Sequence, residues 1–218
     1  ALLEIRLDSA GADVLVLNGT IEQVASGFDR VIFPADQVRL AEQRRQRRMQ
    51  RLQAGKAPDP NQVIWLNEDS EPSGSWAGLS PCNASELDRW RNSHGWPLRE
   101  QELTGDTNPF ELGLANWVEL NKGCYLGQEV ISRMRTSGRT NRHLVSLATP
   151  PETLPGAILL HEDEEAGVVT SVASRSGEQP GEVTALGFRR RKFTGKSQFS
   201  VRNPSGVALP GKALVRTP

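Results

Sequence analysis

Apolar and polar positions along this chain fall into short runs, and the texture of those runs changes from one end to the other. Residues 2–7 (LLEIRL) and 14–17 (VLVL) flank a polar connection at 8–13, a pattern that predicts two strands joined by a turn. Asn18-Gly19-Thr20 closes the second strand, and Thr20 is placed to cap a short helix, IEQVASGF, ending near Gly27. Val31-Ile32-Phe33 before Pro34 predicts a brief strand halted by the proline. The stretch 36–54, DQVRLAEQRRQRRMQRLQA, is rich in helix formers and predicts a helix with Val38, Leu40, Met49 and Leu52 as its apolar contacts. A Pro/Gly linker at 55–62, a strand at 63–66 (VIWL) and a polar loop at 67–75 follow. Ser85–Ser93 reads as a helix with Ser85 at its N-cap, stopped by Gly95-Trp96-Pro97. Residues 98–121 mix loop and short elements, and another helix is expected from near Leu126 toward Met134.

From about residue 143 the runs become short and evenly spaced: HLVSLA, AILLHE, AGVVTSVAS, VTALGFRRR, QFSVRN and KALVRT. Turns containing Pro150-Pro151, Pro155-Gly156, Pro180-Gly181 and Pro210-Gly211 separate them. Six strands at such spacing predict a small all-β barrel or sandwich. The expected class is therefore α+β, with domains at 1–142 and 143–218. The chain opens without Met on a strand-like run, so truncation at its N-terminus is expected.

Lys plus Arg and Asp plus Glu number 26 each, so no global charge draws the chain to nucleic acid or a membrane. No apolar run reaches the roughly 20 residues that span a bilayer, and the N-terminus lacks the order of a secretory signal. A cytoplasmic protein without a membrane partner is expected. Cys82 and Cys124 are too few for a disulfide scaffold, and a reduced pair is expected.

Most candidate sites fail on their chemistry. The run Arg44–Arg51 is able to touch phosphate, but without net basicity or interleaved aromatics it reads as a solvated face, and direct nucleic-acid binding is not expected. Gly195-Lys196-Ser197 resembles the tail of a phosphate loop, yet Arg190 stands where the loop needs glycine. No GxGxxG or GxSxG occurs, and His94, His143 and His161 share no metal-ligand spacing with either cysteine, so no metal is expected. Trp65, Trp76, Trp90, Trp96 and Trp117 are either walls for a planar heterocycle or ordinary core.

The segment Lys122-Gly123-Cys124-Tyr125-Leu126-Gly127-Gln128-Glu129 is denser in chemistry: a cation, two glycines, a thiol, a phenol and a carboxylate within eight residues. Glycine permits positive φ or close backbone approach. A lysine beside a cysteine at a helix start favours thiolate. Glu129 is able to accept hydrogen bonds from an amine-bearing ring. The alternative is a tight turn around a small buried cysteine.

This segment resembles the signature K-G-C-Y-x-G-Q-E of the YgfZ-type folate-binding family, relatives of the glycine-cleavage T-protein, at all seven fixed positions. Gly95-Trp96-Pro97, the stretch 108–114, Arg133, Gly138, Arg142, the stretch 167–171 and the stretch 185–190 are similar to further family patterns. The resemblance implies a T-protein-like fold, partial here, followed by a small C-terminal barrel, and a channel for tetrahydrofolate or a one-carbon derivative. It implies a role in iron–sulfur cluster assembly or repair, and through it tRNA modification, with iron–sulfur proteins or their assembly factors as partners. Cys124 inherits the family's activity-linked position. Lys122, Gly123, Tyr125, Gly127, Gln128, Glu129, Arg133 and Arg142 match signature or pattern positions, and Trp90 is the nearest match to a folate-contacting tryptophan, at shorter spacing. The sequence departs from the family in lacking its first strand–helix unit, in a shortened middle at 36–85, and in Ser137 where arginine is expected. The resemblance leaves two other functions open: an aminomethyltransferase-type, tetrahydrofolate-dependent transferase, and a non-catalytic RNA- or protein-binding module.

Overall fold

The N-terminal segment builds hairpins from its alternating runs. In the computed structural model, which describes residues 2–53, 56, 59, 61–125, 127–173 and 182–216, β1 (Leu2–Leu7) pairs antiparallel with β2 (Ala12–Asn18). Their turn is closed by Asp8, whose Oδ1 accepts from the amides of Ala10 and Gly11 at 2.7 and 2.9 Å. Thr20 Oγ1 accepts from the Gln23 amide at 3.2 Å and caps α1 (Ile21–Asp29), as the sequence predicts. The strand expected at 31–33 does not form. The Phe28 carbonyl accepts from the amides of both Val31 and Ile32, which winds the chain off the helix end into a 3₁₀ turn at Pro34–Asp36.

The helix expected over 36–54 is also replaced. Residues 46–50 form β3 (Gln46–Gln50), paired antiparallel with β4 (Val63–Asn67), and the segment before it is irregular. Between Leu40 and Met49 only Ala41 is apolar, so no continuous buried stripe runs along the stretch. Strand pairing sets Met49 opposite Ile64 and Arg48 opposite Trp65, and Arg48 Nε reaches Glu4 at 2.6 Å. Tertiary pairing thus overrides local propensity. The expected linker at 55–62 lies largely outside the described residues.

By contacts the chain divides into two compact units, Ala1–Pro81 and Cys82–Pro218. No described residue of the first is fully buried. In the second, α2 (Ala84–Ser93) is capped by Asn83 rather than Ser85. Only Asn83 has a glutamate three residues on: Asn83 Oδ1 accepts from the Glu86 amide at 3.0 Å while Glu86 Oε2 accepts from the Asn83 amide at 2.7 Å. The last helix, α3 (Gln128–Ser137), starts after Gly127 and ends at Gly138, both left-handed. The start expected at Leu126 lies outside the described residues.

All six C-terminal runs form strands: β5 (Arg142–Thr149), β6 (Ile158–His161), β7 (Glu164–Val172), β8 (Val183–Arg190), β9 (Gln198–Arg202) and β10 (Ala208–Arg216). They close into a barrel in the order β10-β5-β8-β7-β6-β9. The turn at Pro180-Gly181 and the last residue of AGVVTSVAS lie outside the described residues. Leu147, Leu159, Val169, Ala185, Phe199 and Val201 fill the interior. Glycine is required at two wall positions: a Cβ on Gly167 would meet the Phe188 carbonyl oxygen at 2.1 Å, and one on Gly187 the Val168 carbonyl oxygen at 2.7 Å. The fold is α+β with a closed six-stranded barrel. Helix α2 packs on β5, β7 and β8, so the contact division lies upstream of the change in texture near residue 142.

Candidate functional site

The segment 122–129 forms an open loop leading into α3. Gly127 takes φ 85°, a conformation other residues adopt only with strain, and this turns the chain into the helix. Gln128 fastens the loop from within: its Oε1 accepts from the Tyr125 amide at 3.2 Å and its Nε2 donates to the Leu120 carbonyl at 3.3 Å. Lys122, Gly123 and Cys124 are exposed, and Tyr125 is half-buried. The alternative of a buried structural cysteine is therefore excluded by the exposure of Cys124. The Lys122 ammonium lies 4.8 Å from the centre of the Tyr125 ring, a cation–π arrangement. Cys124 precedes the Gly127 cap and lies outside the first turn of α3, contrary to the helix-start position expected for it.

Glu129 and Arg133 are exposed and form an i,i+4 pair at 3.4 Å. Arg142 is bound into the barrel wall instead. Its Nε donates to Glu111 at 3.3 Å, and its guanidinium lies 4.4 Å from the centre of the Phe188 ring. Trp90 sits on α2 with its ring 4.9 Å from that of His94, and its buried indole N–H has no hydrogen-bond partner. Cys82 is exposed and free. The structure brings Lys122, Tyr125 and Gln128 into contact, and Glu129 with Arg133; among the described residues no hydrogen bond, ion pair or ring contact joins Trp90 or Arg142 to the loop.

One constellation was missed by the sequence reading. Arg91 is 1% and Glu102 0% exposed, and they pair at 3.3 Å. Glu102 Oε2 also accepts from the amides of Leu98 and Arg99 at 3.2 and 2.8 Å, and Ser171 on β7 donates its hydroxyl to Glu102 Oε1. Arg91 Nε reaches Asp88 at 2.6 Å, and Arg99 reaches the same carboxylate at 2.7 Å. Burial pushes the Asp88 carboxyl up, but hydrogen bonds from Arg99 and Arg91 outweigh it and hold the group below the usual carboxylate range. This network anchors the Gly95-Trp96-Pro97 turn to the barrel. Its only sequence signal is the i,i+3 spacing of Asp88 and Arg91; Glu102 is joined to them by tertiary folding.

No group of three or more His, Cys, Asp or Glu able to hold a metal occurs among the described residues. No helix among them is long and apolar enough to cross a membrane. Two shallow hollows lie in the N-terminal unit, one lined by Ile32, Phe33, Val38 and Leu40 and one by Glu22, Gln23, Ser26 and Arg30; neither includes a signature residue. The loop exposes a thiol, a cation and a carboxylate beside a half-buried aromatic ring. A half-buried ring and a cation suit a planar heterocycle with an anionic tail, and the exposed Glu129 carboxylate, paired with Arg133, is able to accept from an amino group. The buried Trp90 N–H does not present a donor to a ligand on that face.

No protein-family model matches the chain. A chloroplastic protein of Arabidopsis thaliana that carries a transferase name is 34% identical over 94 residues, which cover 43% of this chain and 22% of that protein. The aminomethyltransferase of Bacillus licheniformis is 32% identical over 123 residues, 52% of this chain and 34% of its own. That of Moorella thermoacetica is 35% identical over 101 residues, 45% and 27% respectively. The solved aminomethyltransferase T of the glycine cleavage system of Bartonella henselae matches with a TM-score of 0.48 at 21% identity over 60% of this chain and 36% of that one, a likeness too low to argue from. The sequence matches, which span only 22–34% of those relatives' own lengths, support a relationship between this chain and the aminomethyltransferase-like superfamily.

Proposed function

We propose that this chain is a YgfZ-type folate-binding accessory protein that works in iron–sulfur cluster assembly or repair and, through it, in tRNA modification. The observation that carries the reading is the loop at 122–129: all seven signature positions are present, and the thiol of Cys124 is exposed on a loop fastened by Gln128 and turned by Gly127. Similarity to aminomethyltransferases supports the folate connection.

In this reading Tyr125 stacks against the planar part of tetrahydrofolate or a one-carbon derivative, Lys122 faces its anionic tail, and Glu129 accepts from its amino group. Bound folate supplies a carrier for a one-carbon unit. Cys124 is the reactive group, accessible to an iron–sulfur protein or an assembly factor. Gln128 holds the loop, while Arg133 orients Glu129. Arg142 and Trp90 act by supporting the surrounding fold, because their side chains are committed to the barrel wall and to α2. The site of action is the cytoplasm.

Complementation tests the proposal. A strain lacking its own protein of this type, with low activity of an iron–sulfur tRNA-modifying enzyme, is to be supplied with the intact chain or with Cys124→Ala. Rescue by the intact chain and loss of rescue with Cys124→Ala are expected; full rescue by the variant would falsify the assignment of Cys124. A second reading, an aminomethyltransferase-type transferase, is favoured by the names of the relatives. Robust glycine-cleavage turnover with purified carrier protein would put it first.

A further inference from the structure

Strand alternation brings a group of bases to one end of the barrel. On β5, Leu147 and Val145 face the core; on β8, Ala185 faces it, and a Cβ on Gly187 would approach Leu147 Cδ1 at 3.0 Å. Two residues further along each strand the same side carries His143 and Arg189, which are direct cross-strand partners. The chain then turns through Arg191, whose amide donates to the Asn141 carbonyl at 2.9 Å and so ties the start of the next turn to the foot of β5. Three basic residues from two strands and a 3₁₀ turn therefore converge on one rim.

The neighbouring cations are accounted for. Arg190 pairs with Glu165, Lys192 with Glu164 at 2.5 Å, and Arg142 with Glu111 at 3.3 Å. Among the described residues no carboxylate pairs with Arg189 or Arg191. Arg189 is half-buried, donates Nη1 to the Lys196 carbonyl at 2.9 Å, and has a buried Nε without a partner. Burial pulls the Arg189 guanidinium below its usual range with no acid to offset it. Burial, then the charges of Arg189 and Arg191, also lower the His143 imidazole, while Glu111 works against them. A half-buried guanidinium without a counter-ion, beside a second free arginine, is an arrangement that an anion relieves.

We propose that this rim, formed by Arg189, Arg191 and His143, is a binding site for a phosphate group. Tetrahedral oxyanions match a guanidinium fork and an imidazole donor. Phosphate rather than carboxylate fits because two arginines and a titratable histidine together answer more than one negative charge. The source is either a small phosphorylated molecule or the backbone of a nucleic acid. The site does not depend on Cys124 or on folate.

Calorimetric titration of the whole chain with inorganic phosphate, and separately with a short unstructured single-stranded RNA, tests the site. Saturable phosphate binding is expected, weakened about tenfold by Arg191→Gln, the loss of one charge-assisted hydrogen bond. Arg189→Gln should act alike, and Lys192→Gln, whose charge is already paired, should leave the affinity within about twofold. Arg191 is exposed, so Arg191→Gln keeps the test open if Arg189→Gln disturbs the barrel. Phosphate facing His143, alongside Arg189, Arg191, Glu111 and the Thr140 hydroxyl, should raise the imidazole and draw in a proton. Binding should therefore tighten as pH falls toward the lowered range of the folded imidazole. Phosphate that saturates without RNA binding identifies a small ligand. RNA that binds and is displaced by phosphate identifies a backbone. Absence of saturable binding by either, or equal weakening by Lys192→Gln, overturns the proposal.

Discussion

Cys124 is exposed, whereas Arg91 and Glu102, far more polar, are sealed inside. The difference lies in partners. Glu102 has an arginine, two amides and a hydroxyl to satisfy it, and removing its charge leaves Arg91 with Asp88 as its one counter-ion among the described residues and breaks a charge-assisted bond in a dry site. Glu102→Gln is expected to destabilise the chain by about 3–5 kcal/mol, read as a lowered urea midpoint; an unchanged midpoint would show that the network is dispensable. Two titrations carry a pH signature of the same sign. Asp88 lies below its unfolded value of 3.8, so its contribution is present above that value and lost as pH falls through the lower folded one. His143 also lies below its unfolded value of 6.5, so the unfolded chain binds its proton first and stability declines as pH falls from 6.5 toward the folded value. In a stability–pH profile, His143→Gln should flatten the mildly acidic part, and Asp88→Asn the more acidic part. At Lys122–Glu129 the residue types and spacing were legible because they are local, but the place of Cys124 ahead of the Gly127 cap was not. The Arg91–Glu102 pair was not, since nothing in the sequence says that residues eleven apart meet across a turn.

At the scale of elements, what the sequence shows depends on whether a pattern repeats. The barrel strands were legible because each alternates and is bounded by Pro/Gly turns, and all six form. The stretch 36–54 misled because helix-forming residue types are present without a helical stripe, and pairing with β4 decides the outcome. The N-cap of α2 fell to Asn83 because a capping box needs both ends, and Ser85 lacks the second. Glycine positions give direct tests. Gly167→Ala places a Cβ 2.1 Å from the Phe188 carbonyl and should lower the barrel's stability by about 1–3 kcal/mol or more, seen in thermal unfolding. Gly127→Ala meets no atom within 4 Å, so its penalty is purely conformational, about 1–2 kcal/mol. Hydrogen exchange should show α3 opening faster in that variant while the barrel amides stay protected; equal exchange in both would mean that Gly127 does not set the loop.

Across the whole molecule, burial is uneven. The described core residues belong to the second unit, while residues 2–81 hold hairpins with no fully buried side chain. Two-stranded hairpins are marginal in water by themselves. Amides of β1 to β4 should therefore exchange orders of magnitude faster than those of β5 and β8, and comparable protection in both units would contradict this picture. The loop that carries the proposed function belongs to the unit with the core, so its chemistry rests on a stable base. The central claim is that this loop serves a folate, and equilibrium binding of tetrahydrofolate to the intact chain tests it most directly. Saturable binding that Lys122→Ala and Tyr125→Ala each weaken about tenfold, with Lys192→Gln without effect, is the predicted result. No saturable binding, or binding that ignores both loop substitutions, would contradict it.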